Sequence, residues 1–496
     1  MKEPARVFQR RWVWVTGGVV FLSLLFLQIT HMAWQNYLHR IQMLMQMCII
    51  AGVAVLALRF AQGKASDHAL PMLILYVGMV MRIGYALYTP TALRPHDFYG
   101  VDINSAGHAG YILNLFVNFS LPPNNTAQFS QPPLFYALSA GIMKIYQWLW
   151  GVDDVNLLIE ASRLTSCLAA CGSLAVVYQI GRELKLNRNG MVVLTGVTAF
   201  LPVHYLTGGC ANPDALSVFF LFAIVWYTIR WFHTQTLHNT VLLALWFGLG
   251  LMTKFTVAVS ALPTGLLMLY VLWRQKDSAK RKRLFKLLLV FLLIAIPLGL
   301  WHAVRNAVLY GQKLGGVFEL SKDTYVYIGQ LSMSYRYGWL SIHHFYSPLF
   351  ITDVVTPNFW IILFKTAVFG EYVYDIDKFA PMLLLISNYA LVLLSLVSMS
   401  IKAWRAVGKQ QIPWIFLALT WLSAFLAYFL FTVRYPFWCS MDYRYAIVTS
   451  LTGALFLAAG MPEGKAGRLA SVYKVMVWCA LCGFAIASVA MYTNIQ

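Results

Sequence analysis

Long apolar runs recur along almost the whole chain and limit what it can fold into. About thirteen of them are close to the length of about 17 to 25 residues that a helix needs to cross a bilayer. Inside lipid the backbone must satisfy its own hydrogen bonds, and for runs of this length only a helix does so. The sequence therefore predicts an all-α integral membrane protein, with residues 1–496 forming a single polytopic bundle.

The predicted spans leave two stretches too long to be simple connections. The spans are 12–30, 41–58, 70–89, 161–181, 190–206, 214–230, 240–253, 255–273, 286–303, 380–400, 413–431, 445–460 and 475–492. The long stretches between them are 90–160 and 305–378. In the first, apolar spacing over 110–117 predicts a helix in the membrane interface. Pro132 and Pro133 predict the start of another helix, 134–150, because proline is tolerated in a first turn.

The charge of the chain is unevenly distributed between the two sides of the predicted bundle. There are 37 Lys and Arg against 18 Asp and Glu, a formal net charge of +19. With the basic N-terminus in the cytoplasm, the basic excess falls on cytoplasmic loops, above all on 274–286 (RQKDSAKRKRLFK). The excess is thus a topology signal, and no nucleic-acid partner is needed to explain it. Both long loops are predicted to be extracytoplasmic, in a bacterial inner membrane or alternatively the endoplasmic reticulum.

Titratable residues gather in the first long loop, directly after the third predicted span. They are His96, Asp97, Asp102 and His108. A carboxylate at the membrane surface can take a proton from an acceptor hydroxyl as a general base. We therefore take Asp97 as the candidate base, with a helix cap or a solvated turn as the alternative. Asp97, Asp102 and His108 could also hold a divalent metal, although their spacing is not diagnostic.

Cationic side chains recur at the predicted outer ends of spans and in the aromatic second loop. They are Arg163, Lys254, Arg305, Arg336, Arg434 and Arg444. A single arginine at a span end usually just extends to the interface. Several around one cleft would suit a phosphate, and a lipid phosphate that leaves during a reaction needs cations to neutralise its charge. A base and such cations on one side are what sugar transfer from a lipid phosphate requires.

The positions of the cysteines say little about the fold or the function. The seven cysteines make no disulfide framework, and those in apolar helices are best explained by helix packing. Cys210 and Cys439 both fall on predicted outer loops and could pair, which the sequence leaves open.

Several motifs occur in a fixed order along the first half of the chain. The first loop holds RPHDF (94–98), GHAGYI (107–112), LPP (121–123) and QPPLFY (131–136). Further stretches are ASRLTSCLAACGSLAVVYQIGRELKL (161–186), GLGLMTKFTVAVSALP (248–263), WHAVRNAVLYG (301–311) and, more distantly, MDYRY (441–445). Together they resemble family 39-type glycosyltransferases of the GT-C fold, which include protein O-mannosyltransferases and lipid A aminoarabinose transferases. The resemblance covers about residues 70–311.

The resemblance implies an activity and a set of site residues. It implies an inverting transfer from a polyprenyl- or dolichyl-phosphate sugar to a protein, lipid or glycan acceptor on the extracytoplasmic side. It implies that Asp97 is the catalytic base and that the segment opened by Pro132 helps to build the donor site, near Lys254 and Arg305. The remaining candidates for donor or acceptor binding are His96, Asp102, His108, Gln131, Arg336, Glu371, Arg434 and Arg444.

The chain departs from the family pattern at two positions of the first loop. Many members have an Asp-Glu pair where this chain has Asp97-Phe98, and many have His or Lys at the position of Gln131. A lysine there could reach the lipid phosphate, whereas Gln131 can only form a hydrogen bond. The phosphate contact is then expected from Arg305, Arg434 or Arg444, and the aminoarabinose subgroup is disfavoured. The two spans before residue 70 are also additional to the usual layout.

A second class of function stays open at this stage. A transporter or flippase for a lipid-linked sugar would use the long loops as a gate. Such proteins usually have broken helices and charged residues at mid-membrane. Here the charges are expected at the outer ends of spans, which favours the glycosyltransferase.

Overall fold

The computed structural model describes residues 3–33, 38–91, 93–94, 105–313, 320–351, 357–464 and 467–495. Over these residues the fold is all-α, as predicted, with one isolated bridge between Tyr327 and Phe437 in place of any strand. The α-helices are α1 Glu3–Ala33, α2 Leu38–Ala61, α3 Ala69–Tyr88, α4 His108–Asn118, α5 Leu134–Trp150, α6 Val155–Ser162, α7 Leu164–Glu183, α8 Arg188–Phe200, α9 Val203–Gly208, α10 Asp214–His233, α11 Leu237–Leu251, α12 Ala261–Arg274, α13 Ser278–Tyr310, α14 Met333–Tyr337, α15 His343–Tyr346, α16 Phe359–Phe369, α17 Phe379–Gly408, α18 Ile412–Arg434, α19 Val448–Ala459 and α20 Arg468–Tyr492. Three 3-10 turns complete them: Phe255–Ser260, Trp438–Met441 and Tyr443–Ala446.

Ten segments of the described chain are long and apolar enough to cross a membrane. The predicted count of about thirteen is therefore not confirmed. The difference lies in predicted spans 190–206, 240–253 and 445–460. The first is interrupted at Pro202, which ends α8 because proline cannot continue the hydrogen-bond ladder. The other two form only the short apolar helices α11 and α19.

The loops sort into two ends of the bundle. At one end the short basic loops contact each other, as Arg188 does with Asp67 at 3.2 Å and Asn187 with the carbonyl of Met461 at 2.9 Å. At the other end the two long loops meet, with the amide of Asn124 donating to Gln312 at 2.7 Å. We call this second end the loop face. The grouping of the loops agrees with the sequence, and the assignment of the loop face to the extracytoplasmic side stays a prediction.

The helices of the first long loop form where the sequence places them. Helix α4 covers the predicted apolar stretch 110–117, and α5 begins directly after Pro133, at Leu134. The backbone N–H of Leu134 donates to the carbonyl of Met252 at 3.0 Å. This bond attaches the start of α5 to the end of α11, so the proline segment of the first loop is fixed against the bundle.

One buried arginine corrects the expectation that charges lie only at span ends. Arg82 lies inside α3 and is 1% exposed. Its guanidinium donates to the carbonyls of Thr198 at 2.9 Å and Ala199 at 3.0 Å, at the interrupted end of α8. The last carbonyls of a helix lack partners within the helix. Arg82 supplies donors there, where the break at Pro202 leaves these groups inside the bundle.

Candidate functional site

Three of the predicted site residues, His96, Asp97 and Asp102, lie outside the described residues. The chain before them is well fixed. The guanidinium of Arg94 lies 4.6 Å from the ring centroid of Tyr374, and the hydroxyl of Tyr372 donates to the carbonyl of Arg94 at 3.4 Å. The start of the first long loop is therefore held against the segment that follows α16, which also contains Glu371.

Arg163 holds the same region together and is not available to a ligand. Its guanidinium pairs with Glu160 and donates to the carbonyls of Thr89 at 2.8 Å and Gly209 at 2.9 Å. Glu160 in turn accepts from the backbone N–H of Thr91 at 2.8 Å. The arginine and glutamate are both nearly fully buried, so this ion pair links α6, the end of α3 and the end of α9.

Three charged side chains from distant parts of the sequence meet at the loop face. The carboxylate of Asp214 binds the amino group of Lys254 through one oxygen and lies 3.7 Å from the guanidinium of Arg444 through the other. The side chains are 6%, 14% and 6% exposed, respectively. We call these three residues the charged cluster. Within it, two cationic side chains lie against one carboxylate.

Local structure explains why these side chains can meet. Asp214 is the first residue of α10, after Pro213, and Lys254 is an extended residue between α11 and the 3-10 turn Phe255–Ser260. Arg444 lies in the turn Tyr443–Ala446, where its N–H donates to the carboxylate of Asp442 at 2.7 Å. The amino group of Lys254 and the guanidinium of Arg444 both lie 5.1 Å from the ring centroid of Tyr445.

A second group of polar residues joins His108 to Gln131. The hydroxyl of Tyr136 is 2.8 Å from Nδ1 of His108 and donates to the side-chain oxygen of Gln131 at 3.1 Å. The ring of Tyr111 stacks on that of Tyr136 with centroids 3.8 Å apart. The GHAGYI and QPPLFY motifs therefore form one packed unit. Its position beside α11 follows from the bond between Leu134 and Met252.

Arg305 reaches the same unit through Asn306. Its guanidinium donates to the side-chain oxygen of Asn306 at 2.9 Å, and the amide of Asn306 donates to the carbonyl of Ser130 at 3.4 Å. Ser130 directly precedes Gln131. The structure thus links Arg305, through Asn306, to the Ser130 end of the Ser130–Leu134 segment and Met252, two residues before Lys254, to its Leu134 end.

Arg336 and Arg434 lie elsewhere on the loop face. Arg434 is exposed at the end of α18, over the ring of Tyr435 at 5.6 Å, so it is not part of the buried charged cluster. Arg336 is buried on α14, with its guanidinium 3.0 Å from the sulfur of Met333. The expectation that Arg434 helps to bind a phosphate has no support in this position.

Among the described residues no group of three His, Cys, Asp or Glu side chains could hold a metal ion. The predicted metal site is not tested by this result, because Asp97 and Asp102 are outside the described chain. Cys210 is a free thiol, so the pairing with Cys439 that the sequence left open is not formed.

An apolar cavity of about 300 Å³ opens between α8, α16, α17, α18 and α19. Its walls include Trp360, Leu391, Leu396, Trp421, Phe425 and Leu457. Tyr443 and Ala446, the first and last residues of the turn that carries Arg444, also line it. We call it the bundle cavity. Its lining therefore reaches the turn that supplies one cation of the charged cluster.

Fold and site together define an all-helical membrane protein in which the turn that carries a buried arginine also lines an apolar cavity. Residues 130–301 match the family model of dolichyl-phosphate-mannose-protein mannosyltransferases. Over this stretch the match confirms the resemblance to GT-C mannosyltransferases that the motifs predict. No curated protein matches the chain.

Solved structures that partly resemble this chain include two of the oligosaccharyltransferase from Archaeoglobus fulgidus. The apo form has a TM-score of 0.47 at 13% identity, covering 86% of this chain and 56% of that one. The form tethered to an acceptor peptide with the NVT sequon has a TM-score of 0.48 at 12% identity, covering 86% of this chain and 55% of that one. ArnT from Cupriavidus metallidurans in the apo state has a TM-score of 0.46 at 12% identity, covering 85% of this chain and 75% of that one. The chain thus spans about half the length of the oligosaccharyltransferase.

Two residues of the site were missed by sequence reasoning. Asp214 is the first residue of the predicted span 214–230, after Asn212 and Pro213, but nothing local in the sequence assigns it to Lys254. Tyr136 lies in a quoted motif, yet its role between His108 and Gln131 depends on how α4 and α5 pack. In both cases the sequence shows the residue type but does not show which side chain the residue contacts.

Proposed function

We propose that the protein transfers a sugar from a polyprenyl- or dolichyl-phosphate donor to an acceptor hydroxyl at the loop face, on the extracytoplasmic side, with inversion at the sugar carbon. The observation that carries the proposal is that Arg444 of the charged cluster lies on the turn Tyr443–Ala446, which also lines the bundle cavity. A lipid-phosphate donor has an anionic head and a hydrocarbon tail. Lys254 and Arg444 suit the phosphate, and the apolar walls of the bundle cavity suit part of the tail.

The proposed reaction is a single displacement. Asp97 accepts the proton of the acceptor hydroxyl. At the same time the oxygen of that hydroxyl forms a bond to the anomeric carbon of the sugar. The bond from that carbon to the phosphate oxygen breaks, and the electron pair leaves with the lipid phosphate. Lys254 and Arg444 stabilise the charge that develops on this leaving group. Attack opposite the leaving group inverts the anomeric configuration.

The departure at Gln131 fits this assignment. Its side-chain oxygen accepts from Tyr136, and an amide brings no charge to a phosphate. The charge must come from other groups. The backbone N–H of Leu134 donates to the carbonyl of Met252, and Lys254 of the charged cluster follows Met252 by two residues. In our proposal the loop segment shapes the donor site, and Lys254 and Arg444 supply its charge.

The experiment that tests the proposal is a transfer assay with purified protein and a panel of short-chain polyprenyl-phosphate sugars. We expect release of polyprenyl phosphate by the wild type and none by Asp97→Asn at equal folded amount. Release by both proteins would remove Asp97 as the base. Binding of the lipid without release by either would argue against an enzyme. Repeating the wild-type assay with a chelator tests the predicted metal at Asp97, Asp102 and His108.

One observation favours a second candidate, a transporter or flippase of a lipid-linked sugar. The break between α8 and α9, with the buried charge of Arg82 against it, is a feature that transporters also use. This candidate predicts movement of a labelled lipid-linked sugar across proteoliposomes, and the movement survives Asp97→Asn. The enzyme predicts that this substitution removes product and that the lipid stays on its own side.

A further inference from the structure

A second apolar recess lies where the second long loop packs over the first turns of α17. Its volume is about 530 Å³. Its lining includes Trp339, Ile342, Phe345, Met382, Ile386 and Tyr389. We call it the rim groove. It is separate from the bundle cavity, because none of the side chains that line one also lines the other.

The chemistry of the rim groove suits a hydrocarbon chain. The described residues that line it include no charged side chain. Its polar atoms are few, and the hydroxyl of Tyr389 is already used, since it donates to the carbonyl of Phe345 at 2.8 Å. A sugar or a peptide would leave polar groups unpaired against such walls, which is costly. An alkyl chain has no groups to satisfy.

The groove opens on an exposed apolar surface of α17, a helix long and apolar enough to cross a membrane. Ile386 is 56% exposed, and Leu393 and Val397 continue the exposed surface along the same face of the helix, at 64% and 53%. Ile386 is the eighth residue of α17, which places it about 10 Å along the helix axis at about 1.5 Å per residue. A chain that already lies in the membrane can therefore enter the groove from the side.

Packed pairs of aromatic rings lie between the two cavities, with one ring of each pair lining each cavity. We call these pairs the aromatic layer. Trp339 of the rim groove stacks on Trp360 of the bundle cavity, with centroids 5.1 Å apart and planes at 7°. Tyr389 of the rim groove meets Phe364 of the bundle cavity edge to face at 5.1 Å. Two hydrocarbon chains can thus lie side by side near the loop face. The bundle cavity reaches the turn of Arg444, so it suits the donor, and the rim groove is left for another lipid.

We propose that the rim groove binds the hydrocarbon chain of a lipid-anchored acceptor. The inference rests on the proposed function and deepens it, because it selects a lipid from the three acceptor classes that the sequence leaves open. The aromatic layer keeps the acceptor's chain apart from the donor's tail. Both head groups then meet at the loop face, where the long loops close over the bundle.

Photo-crosslinking tests this proposal without an identified acceptor. The acceptor probe is a dodecyl glucoside with a diazirine in its alkyl chain, and the donor probe is a short polyprenyl phosphate with a diazirine in its tail. The protein is full-length, in nanodiscs of phosphatidylcholine. Ile386→Trp fills the groove, and Leu393→Trp is the matched control on the same exposed face of α17. Labelled peptides are mapped by mass spectrometry.

We expect the glucoside probe to label peptides 339–346 and 382–389. That label falls at least tenfold in Ile386→Trp, stays within twofold in Leu393→Trp, and survives an excess of polyprenyl phosphate. The donor probe labels the bundle cavity equally in all three proteins. Three results overturn the proposal. In the first, the donor probe labels the rim groove or displaces the glucoside probe from it. In the second, Ile386→Trp does not change labelling by the glucoside probe, and in the third, phosphatidylcholine with the same diazirine labels the groove as strongly as the glucoside.

The proposed function fails by a different result, the loss of any difference between wild type and Asp97→Asn in the transfer assay. Crosslinking does not depend on turnover. A failed transfer assay with a positive labelling pattern would therefore leave a lipid site and remove its acceptor role. A successful transfer assay with a negative labelling pattern would leave the enzyme and remove the lipid acceptor.

Discussion

The amino group of Lys254 is held by the carboxylate of Asp214, 40 residues earlier in the chain, with both side chains largely buried. Arg444 approaches the other oxygen of the same carboxylate. Bringing ions out of water costs several kcal/mol each, and a good pair only partly recovers that cost. Burying these three charged groups therefore costs stability that their mutual attraction only partly offsets.

Asp214→Asn is expected to lower stability by about 3 to 5 kcal/mol, because it leaves two buried cations without their shared carboxylate. Thermal unfolding in detergent, followed by tryptophan fluorescence, measures the effect. The control is Asp67→Asn, which breaks an exposed pair with Arg188 and should change stability by about 0.5 kcal/mol or less. Similar melting temperatures for both variants would contradict a buried, energetically important cluster.

Lys254→Met and Arg444→Met are each expected to weaken binding of short-chain polyprenyl phosphate by about ten- to a hundredfold. The reason is that a hydrogen bond to a charged group contributes about 1.5 to 3 kcal/mol. Isothermal titration with protein of verified folding measures the dissociation constants. Arg434→Met removes an exposed arginine of the same face and should leave the affinity unchanged. Equal losses in all three variants would mean that the phosphate responds only to net charge.

Lys365 predicts a pH dependence of stability. It is buried in α16 and its amino group donates to the carbonyls of His344 and Pro348. Burial lowers the pKa of Lys365 from 10.5 to about 8. Between these values the unfolded chain binds more protons than the folded one, so this residue makes stability rise with pH from about 8 to 10.5, by no more than about 3 kcal/mol.

The check is the difference in unfolding free energy between wild type and Lys365→Met across that pH range. We expect wild type to gain relative to the variant as the pH rises, because only wild type loses the penalty of a buried charge. Lys409→Met, an exposed lysine at the end of α17, should give a flat difference. A flat difference for Lys365→Met as well would mean that its amino group is not desolvated.

Local features of the fold could be predicted because local physics determines them. The two prolines and the apolar spacing after them predict α5, and the structure has it at Leu134–Trp150. Proline lacks a donor that the first turn of a helix does not use. The same residue type also marks where a prediction failed, since Pro202 stood inside the predicted span 190–206 and interrupts it.

The site could be predicted only as a set of residue types. Lys254 and Arg444 were candidates because cations suit a phosphate. Asp214, which contacts both, lies at the start of another helix, α10, and was not a candidate. Periodicity says which face of a helix is apolar and does not say which helix ends meet. Arg163 and Arg434 show the converse: the same residue type at a similar predicted depth is bound to carbonyls in one case and exposed in the other.

Arg82→Met separates a structural role of the buried arginine from a transport role. The substitution leaves the carbonyls of Thr198 and Ala199 without their donors inside the bundle, so we expect a loss of about 2 kcal/mol or more in stability. Polyprenyl phosphate binding by the folded fraction, measured by titration, should stay within about twofold, because Arg82 contacts only α3 and α8 carbonyls in our assignment. Arg59→Met, on the exposed last turn of α2, serves as the control for stability. Normal stability of Arg82→Met together with lost movement of a lipid-linked sugar would instead favour the transporter.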